Sequence, residues 1–405
     1  MIKVGIDALA IYTSRYTLDL ATLAHARGID PEKYYTGLGQ RQMSVPPPGE
    51  DIVTMAANAA AKVLKDIDLS DIGMLLLATE SGIDQSKSAG IYVHSLLGLS
   101  PHCRVVELKQ ACYSGTAGLQ LALPFLHQQP HKKVLVIASD IARYSLNTPG
   151  ESSQGCAAVA MLLSANPRIL AIEPEYGVMT DNVMDFWRPN YLHAALVEGK
   201  YSSKLYLSML EKSWEQYVQA SKREFKDHDY FCYHTPVPRL VEKAHQSLLK
   251  INGAAQVEEI VNQQVALALQ YGRLIGNSYT ASLYVGLTSL LDNSPDDLTN
   301  KRIGFYSYGS GCVAEYFSGV VQPGYQAHLH KAYHAELLSG RQELDYQGYE
   351  DFYQFSYAED GSEQIIPEHT VGAYRLTRMQ QHKRLYEVVQ AASEETVILQ
   401  EAMMA

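Results

Sequence analysis

The feature that most limits how this chain can fold is an internal echo. Residues 112–126, CYSGTAGLQLALPFL, are followed by KKVLVIASDIA, and residues 277–291, NSYTASLYVGLTSLL, are followed in turn by KRIGFYSYGSG. Both blocks read as a helix start rich in small residues, an apolar helix, a basic pair, a buried strand and a turn. A unit of this kind repeated at long spacing predicts two related halves with βαβ-type cores. We expect a first half over 1–167 and a second over 168–405, with an appendage from about residue 324.

The intervening sequence fits that plan. Residues 51–66 and 89–98 carry apolar side chains at helical spacing, while 72–79, 104–108 and 133–138 read as buried strands. Their alternation predicts α/β layers around buried sheets. Residues 203–225 predict a helix whose Leu207, Leu210, Trp214 and Val218 stripe faces the core. After about 324 the chain is richer in Tyr, Gln, Glu and His, includes the polar loop AEDGSEQ at 358–364, and reads as a surface appendage.

Composition narrows the choice of partners. The chain has 405 residues, 46% of them hydrophobic, enough to bury a large core. A formal net charge of -11 disfavours nucleic acid, which needs a clustered basic face. No apolar run approaches the roughly 20 residues that span a bilayer. The N-terminal apolar stretch carries Asp7 and reads as a first strand, not a signal peptide. The five cysteines are odd in number and widely spaced, with no C-x-x-C pair. Neither a disulfide framework nor a zinc site is expected, and a reducing cytoplasm is the simplest setting.

Three residues stand out chemically. Cys112 sits where a strand becomes a helix, where unpaired N–H groups and the helix dipole favour a thiolate and small neighbours leave room for an acyl chain. Glu80 follows the strand 72–79 in a glycine-containing loop, a place where partial burial raises a carboxyl towards the range of a general acid or base. His234, in YHTPVP, is followed by prolines at 236 and 238 that stiffen its loop. Taken singly, each has a commoner structural role: a packed thiol, a solvated loop glutamate, a histidine bonded to a carbonyl. Asn277 and Ser310 lie in turns beside the repeated block, where loops of related halves converge. YGSGC lacks the third glycine of a dinucleotide-binding turn.

Together ATESGID, LKQACYSGTAG, YHTP, IGNSY and YSYGSG resemble the 3-hydroxy-3-methylglutaryl-CoA synthase family of the thiolase superfamily, in its bacterial form. GIDALAIY, GLGQRQMSV, DIVTMAANAA, VLVIASDIARYSLN, DFWRP and GYQAHL extend the resemblance, in order, over roughly residues 1 to 345. It implies a five-layered αβαβα fold of two related halves. It also implies that Cys112 is the nucleophile, Glu80 the acid/base for methyl deprotonation and His234 the acid/base at the acceptor carbonyl. Asp30, Tyr144, Ser153, Ser202, Arg239, Lys243, Asn277 and Ser310 match substrate-binding positions. The implied substrates are acetyl-CoA and acetoacetyl-CoA, without a cofactor or metal, and the implied assembly is a homodimer.

Two alternatives stay open. After DFWRP the chain runs NYLHAALVEG where the mevalonate branch of the family usually has Thr-Gly-His, and KQACYSGTAG leans towards the polyketide β-branching branch, whose acyl groups arrive on an acyl carrier protein. A thiolase would use a second cysteine, for which Cys312 is the candidate.

Overall fold

A computed structural model of the chain describes residues 2–255 and 257–389. Residues 390–405, assigned above to the second half, lie outside the described residues. One nine-stranded sheet runs through the molecule: β1 (Val4–Tyr12), β2 (Ile72–Ala78), β3 (Arg104–Leu108), β4 (Lys133–Ala142), β5 (Gly155–Ala165), β6 (Leu170–Thr180), β7 (Tyr230–Tyr233), β8 (Arg302–Gly309) and β9 (Val313–Val321). Their order is β7-β8-β9-β6-β1-β5-β4-β2-β3.

The echo in the sequence is an echo in the sheet. Outward from β1, the strands β5, β4 and β2 pair antiparallel, antiparallel and parallel. Outward from β6, the strands β9, β8 and β7 repeat that series. The two sets meet where β1 pairs with β6 over only two residue pairs, Gly5 with Ala171 and Ile6 with Leu170. Asp7, the charge within the first apolar run, is buried at this seam, where Arg168 binds it through two N–H groups at 2.8 and 2.7 Å.

Helices cover and divide the sheet: α1 (Ile52–Val63), α2 (Ala89–Leu96), α3 (Ser114–Gln128), α4 (Gly199–Ser221), α5 (Pro238–Ile251), α6 (Val257–Ile275), α7 (Ser282–Asn293), α8 (Lys331–Ser339) and α9 (Tyr346–Gln354). All of α7 from Ser282 to Asp292 is buried, as expected of a helix enclosed on every side. It packs against α3, where Thr116 Oγ1 and Tyr284 Oη lie 2.9 Å apart. Gly115 permits this closeness, since a Cβ there would sit 2.9 Å from the Thr280 carbonyl oxygen. The α4 stripe faces inward as expected, with Leu210 and Trp214 buried and Leu207 and Val218 packed at the edge of the second-half cluster.

The C-terminal appendage is anchored, not merely apposed. His334 on α8 bonds Asp292 of α7 at 2.7 Å through Nδ1, and its Nε2 accepts the Ile11 amide at 3.2 Å. Leu337, Tyr349, Ile366 and Leu376 are buried. Its burial corrects the expectation of a purely surface segment. The many polar residues of this stretch are spent on such buried hydrogen bonds as well as on solvent.

Candidate active site

Cys112 occupies the turn between β3 and α3. The Gln110 amide donates to Ser114 Oγ, and the Ser114 hydroxyl donates to the Ala111 carbonyl at 3.0 Å. Ala111 takes a left-handed φ of 44°, uncommon for a residue with a Cβ. Tyr279, in the other half, has the same φ of 44° and stands three positions ahead of Ser282 as Ala111 stands three ahead of Ser114. The helix starts therefore pair Cys112 with Thr280 and Ser114 with Ser282, whereas the sequence echo sets Cys112 opposite Asn277.

That second-half turn, residues 279–282, organises the site. The Tyr279 ring packs with Tyr144 and Phe186 at centroid separations of 6.4 and 5.7 Å, and the Cys112 side chain lies against this cluster. Thr280 donates its amide, at 3.1 Å, and its hydroxyl to Asp140 Oδ2. The other oxygen of Asp140 accepts Thr79 Oγ1 at 2.8 Å and the amides of Glu80 and Ser81, both at 2.9 Å. Ser282 Oγ lies 2.6 Å from Nδ1 of His234 and accepts the Thr235 amide at 3.1 Å. One turn thus lines the cysteine, fixes the Glu80 backbone through Asp140 and fixes the His234 ring.

Glu80 and Cys112 meet. The thiol donates to Glu80 Oε1 at 3.0 Å, and both residues are half-buried. Burial, then the charge of Asp140, pushes the Glu80 carboxyl up to about 8, against the opposing pull of the Cys112 hydrogen bond and of Arg188. Burial, then the Glu80 charge, pushes the Cys112 thiol well above its ordinary value. The resting cysteine is a thiol. A helix start alone does not make it a thiolate here, because the charges of Glu80, Asp140 and Asp185 all oppose ionisation of the sulfur. It needs a proton acceptor, and Glu80 touches the sulfur.

His234 is 4% exposed, its amide donates to the Tyr306 carbonyl at 2.8 Å, and its carbonyl accepts Tyr206 Oη at 2.7 Å. Burial pushes its imidazole down to about 3, so it is neutral at physiological pH.

The other predicted positions divide into two groups. Tyr144 packs on the Cys112 cluster, Asn277 donates its amide to the Ser153 carbonyl at 3.1 Å, and the Ser310 carbonyl accepts Nε2 of Gln110 at 3.2 Å, two residues before Cys112. Ser202 donates to Asp185 Oδ2 at 3.0 Å. Asp30 and Arg239 fall at the two ends of the one-turn helix Glu32–Tyr35. Asp30 accepts the Glu32 amide at 3.0 Å, while Arg239 donates to the Thr36 carbonyl at 3.0 Å and to Glu242 at 2.5 Å. Lys243 is exposed one turn further along α5.

Sequence reasoning did not single out Asp140, Asp185, Arg188, Tyr279 or Ser282. Asp185 is fully buried and accepts Tyr308 Oη at 2.7 Å and the Gly311 amide at 2.9 Å, tying the DFWRP segment to the β8–β9 turn. Arg188, in the same segment, donates to the Glu80 carbonyl. The available signal was a lone carboxylate inside an apolar run, as in VLVIASDIA.

Sequence models of the N-terminal and C-terminal regions of hydroxymethylglutaryl-coenzyme A synthase match residues 2–168 and 250–388. A hydroxymethylglutaryl-CoA synthase of Enterococcus faecalis is 42% identical over 348 residues, covering 86% of this chain and 90% of that protein. The chain belongs to the hydroxymethylglutaryl-CoA synthase family. A solved structure of an HMG-CoA synthase complexed with CoA aligns at a TM-score of 0.91 and 39% identity, over 96% of this chain and all of that one. The curacin-pathway HMG synthase in complex with holo donor-ACP aligns equally well, at 0.91, with 33% identity and the same coverage. The fold is accordingly the thiolase-like fold of HMG-CoA synthases, as the family resemblance implies.

Proposed function

We propose that this synthase condenses acetyl-CoA with acetoacetyl-CoA to give 3-hydroxy-3-methylglutaryl-CoA and CoA, with Cys112 as acetyl carrier. The observation that carries the reading is the 3.0 Å contact between the Cys112 thiol and Glu80, with a neutral His234 held by Ser282 of the 279–282 turn whose Tyr279 lines the cysteine.

Glu80 as carboxylate takes the thiol proton while sulfur attacks the acetyl carbonyl, and CoA leaves as its thiol with that proton. Glu80 then removes a proton from the methyl of the acetyl-cysteine, which the thioester has made acidic. The carbanion equivalent adds to the ketone of acetoacetyl-CoA. His234 donates to the ketone oxygen and supplies the alkoxide's proton, which the proton taken by Glu80 replaces. Water cleaves the enzyme thioester, freeing the product acid and the Cys112 thiol. The sequence balances with water as the third reactant and calls for no cofactor. Glu80, in contact with the sulfur, serves the proton transfers at the acetyl group and His234 the one at the acceptor oxygen.

Asn277, Ser153, Tyr144, Ser202 and Ser310 bind acyl groups near the cysteine in this reading, and Asp30, Arg239 and Lys243 bind the remoter part of a CoA thioester. Product of this kind feeds the mevalonate route to isoprenoid precursors. By family precedent the enzyme is a cytoplasmic homodimer. No helix among the described residues is long and apolar enough to cross a membrane.

A second reading, in which acyl groups arrive on a carrier protein, is favoured by one surface. The short ribbon of Phe186–Trp187 and Leu196–Val197 carries Leu196 and Val197 exposed, with Tyr191 at its tip 83% exposed. We take the free-CoA reading as primary. Steady-state release of CoA from acetyl-CoA plus acetoacetyl-CoA, compared with acetyl-carrier protein as donor, tests it. Turnover with free acetyl-CoA is expected. Acetylation from the carrier protein alone would transfer the chain to the second reading.

A further inference from the structure

Glu315 lies on β9, buried, with Ser307 of β8 and Val178 of β6 as its sheet neighbours. Nothing in the mechanism above uses it. Its two oxygens reach across to the other half of the molecule. Oε2 accepts the Tyr113 hydroxyl at 2.6 Å, and Oε1 accepts the Gln120 side-chain amide at 2.6 Å. Tyr113 directly follows Cys112, and Gln120 lies two turns along the same helix, α3. One second-half carboxyl therefore grips the helix that presents the nucleophile at two points.

The grip is reinforced at the turn. A Cβ on Gly309 would approach the Gln110 carbonyl oxygen to 2.5 Å and the Tyr113 nitrogen to 2.6 Å, so the end of β8 touches the backbone on both sides of Cys112. Strand β8 also carries Tyr306, whose carbonyl holds the His234 amide. Glu315, Tyr113 and Gln120 border a cavity of about 730 Å³, whose lining shares no residue with the Tyr279 cluster. Burial pushes the Glu315 carboxyl up to about 7, a cost that hydrophobic residues at this position would avoid.

We infer that Glu315 is a positioning residue that sets the register between the two halves, holding Cys112 of the first at the spacing from His234 of the second that condensation requires. The inference rests on the functional reading given above. It separates the two chemical stages. Acetylation draws on Cys112 and Glu80, which both belong to the first half and touch directly. Condensation also needs His234 across the junction, and a misplacement of order 1 Å between reacting groups costs up to about a hundredfold.

The test compares wild type with Glu315→Ala, Glu315→Gln and Tyr113→Phe, following Cys112 acetylation by mass spectrometry and condensation by steady-state kinetics. Glu315→Ala is expected to lower kcat for condensation by about tenfold or more while acetylation changes by less than about threefold. Glu315→Gln should recover most of the loss, because its amide oxygen accepts from Tyr113 and Gln120 can turn its own amide to match. Tyr113→Phe, which removes only a hydroxyl and does not depend on the fate of the alanine variant's fold, should show the same split more weakly. Condensation at the wild-type rate in Glu315→Ala or Tyr113→Phe, equal losses in both stages, or a Glu315→Gln no better than the alanine variant would each overturn the inference. A wild type that is never acetylated would refute the functional reading itself, and with it any role of the clamp in condensation.

Discussion

Asp140 of β4 and Thr280 in the turn before α7 join the two halves beside Glu80, through the Thr280 amide and hydroxyl on one carboxylate oxygen. The opposite oxygen holds three donors from residues 79–81. A buried carboxylate satisfied this fully is a structural keystone, and its removal strands several donors at once. Thr280→Val keeps shape and loses one donor. It should destabilise the protein by about 1–3 kcal/mol, read as a lowered urea midpoint with an unchanged slope. Asp140→Ala should cost more, about 3–5 kcal/mol.

The Glu80 carboxyl, raised to about 8, acts as a base only when ionised. Its ionised fraction grows as pH rises through that value, so turnover should climb with pH and level off above about 8. His234, already neutral above about 3, adds no limb of its own near neutrality. Glu80→Gln should lower condensation by about 10²- to 10⁴-fold and abolish the pH dependence. A pH–rate profile of kcat/KM on both proteins decides this, and a rate that falls between neutrality and pH 8 would contradict it.

Cys312 is 1% exposed within the second-half cluster, its carbonyl and amide bonded to Asp181. It is a packing residue in this account. Cys312→Ala should retain most of the condensing activity, at a stability cost of about 1 kcal/mol for the lost sulfur. Loss of activity in a folded variant would instead support a thiolase-type second cysteine.

Ser282 holds the His234 ring at 2.6 Å and receives the Thr235 amide. Ser282→Ala should lower kcat by about tenfold with a smaller change in the acetylation rate, because it frees the ring without touching Glu80 or Cys112. Single-turnover acetylation set against steady-state condensation measures the difference.

The parts of this site that were legible in the sequence are those whose signal is local. Cys112, Glu80 and His234 each stand at the end of a strand, and an apolar run followed by a chemical residue and a turn is visible in a short window. The echoed blocks gave the two halves, because a helix and the strand after it are contiguous in sequence. Asp140 was hidden because its partners, Thr79, Glu80, Ser81 and Thr280, come from two distant segments, and only their convergence makes it a hub. The true register of the echo was hidden for a related reason. It follows from the left-handed turns at Ala111 and Tyr279, neither of which is a glycine. Arg239 and Lys243 match family positions, yet Arg239 bonds Thr36 at the end of the Glu32–Tyr35 helix and Lys243 is exposed one turn further along α5. Sequence spacing along α5 gives no indication of which surface that helix faces.

The central claim is that Cys112 carries the acetyl group between donor and acceptor. Rapid quenching of the protein with acetyl-CoA, followed by intact and peptide mass analysis, measures this directly. The account predicts one acetyl group on the peptide containing Cys112, absent in Cys112→Ala, and discharged on adding acetoacetyl-CoA with the appearance of 3-hydroxy-3-methylglutaryl-CoA. A Cys112 that stays unmodified, or an acetyl group that acetoacetyl-CoA does not discharge, would contradict it.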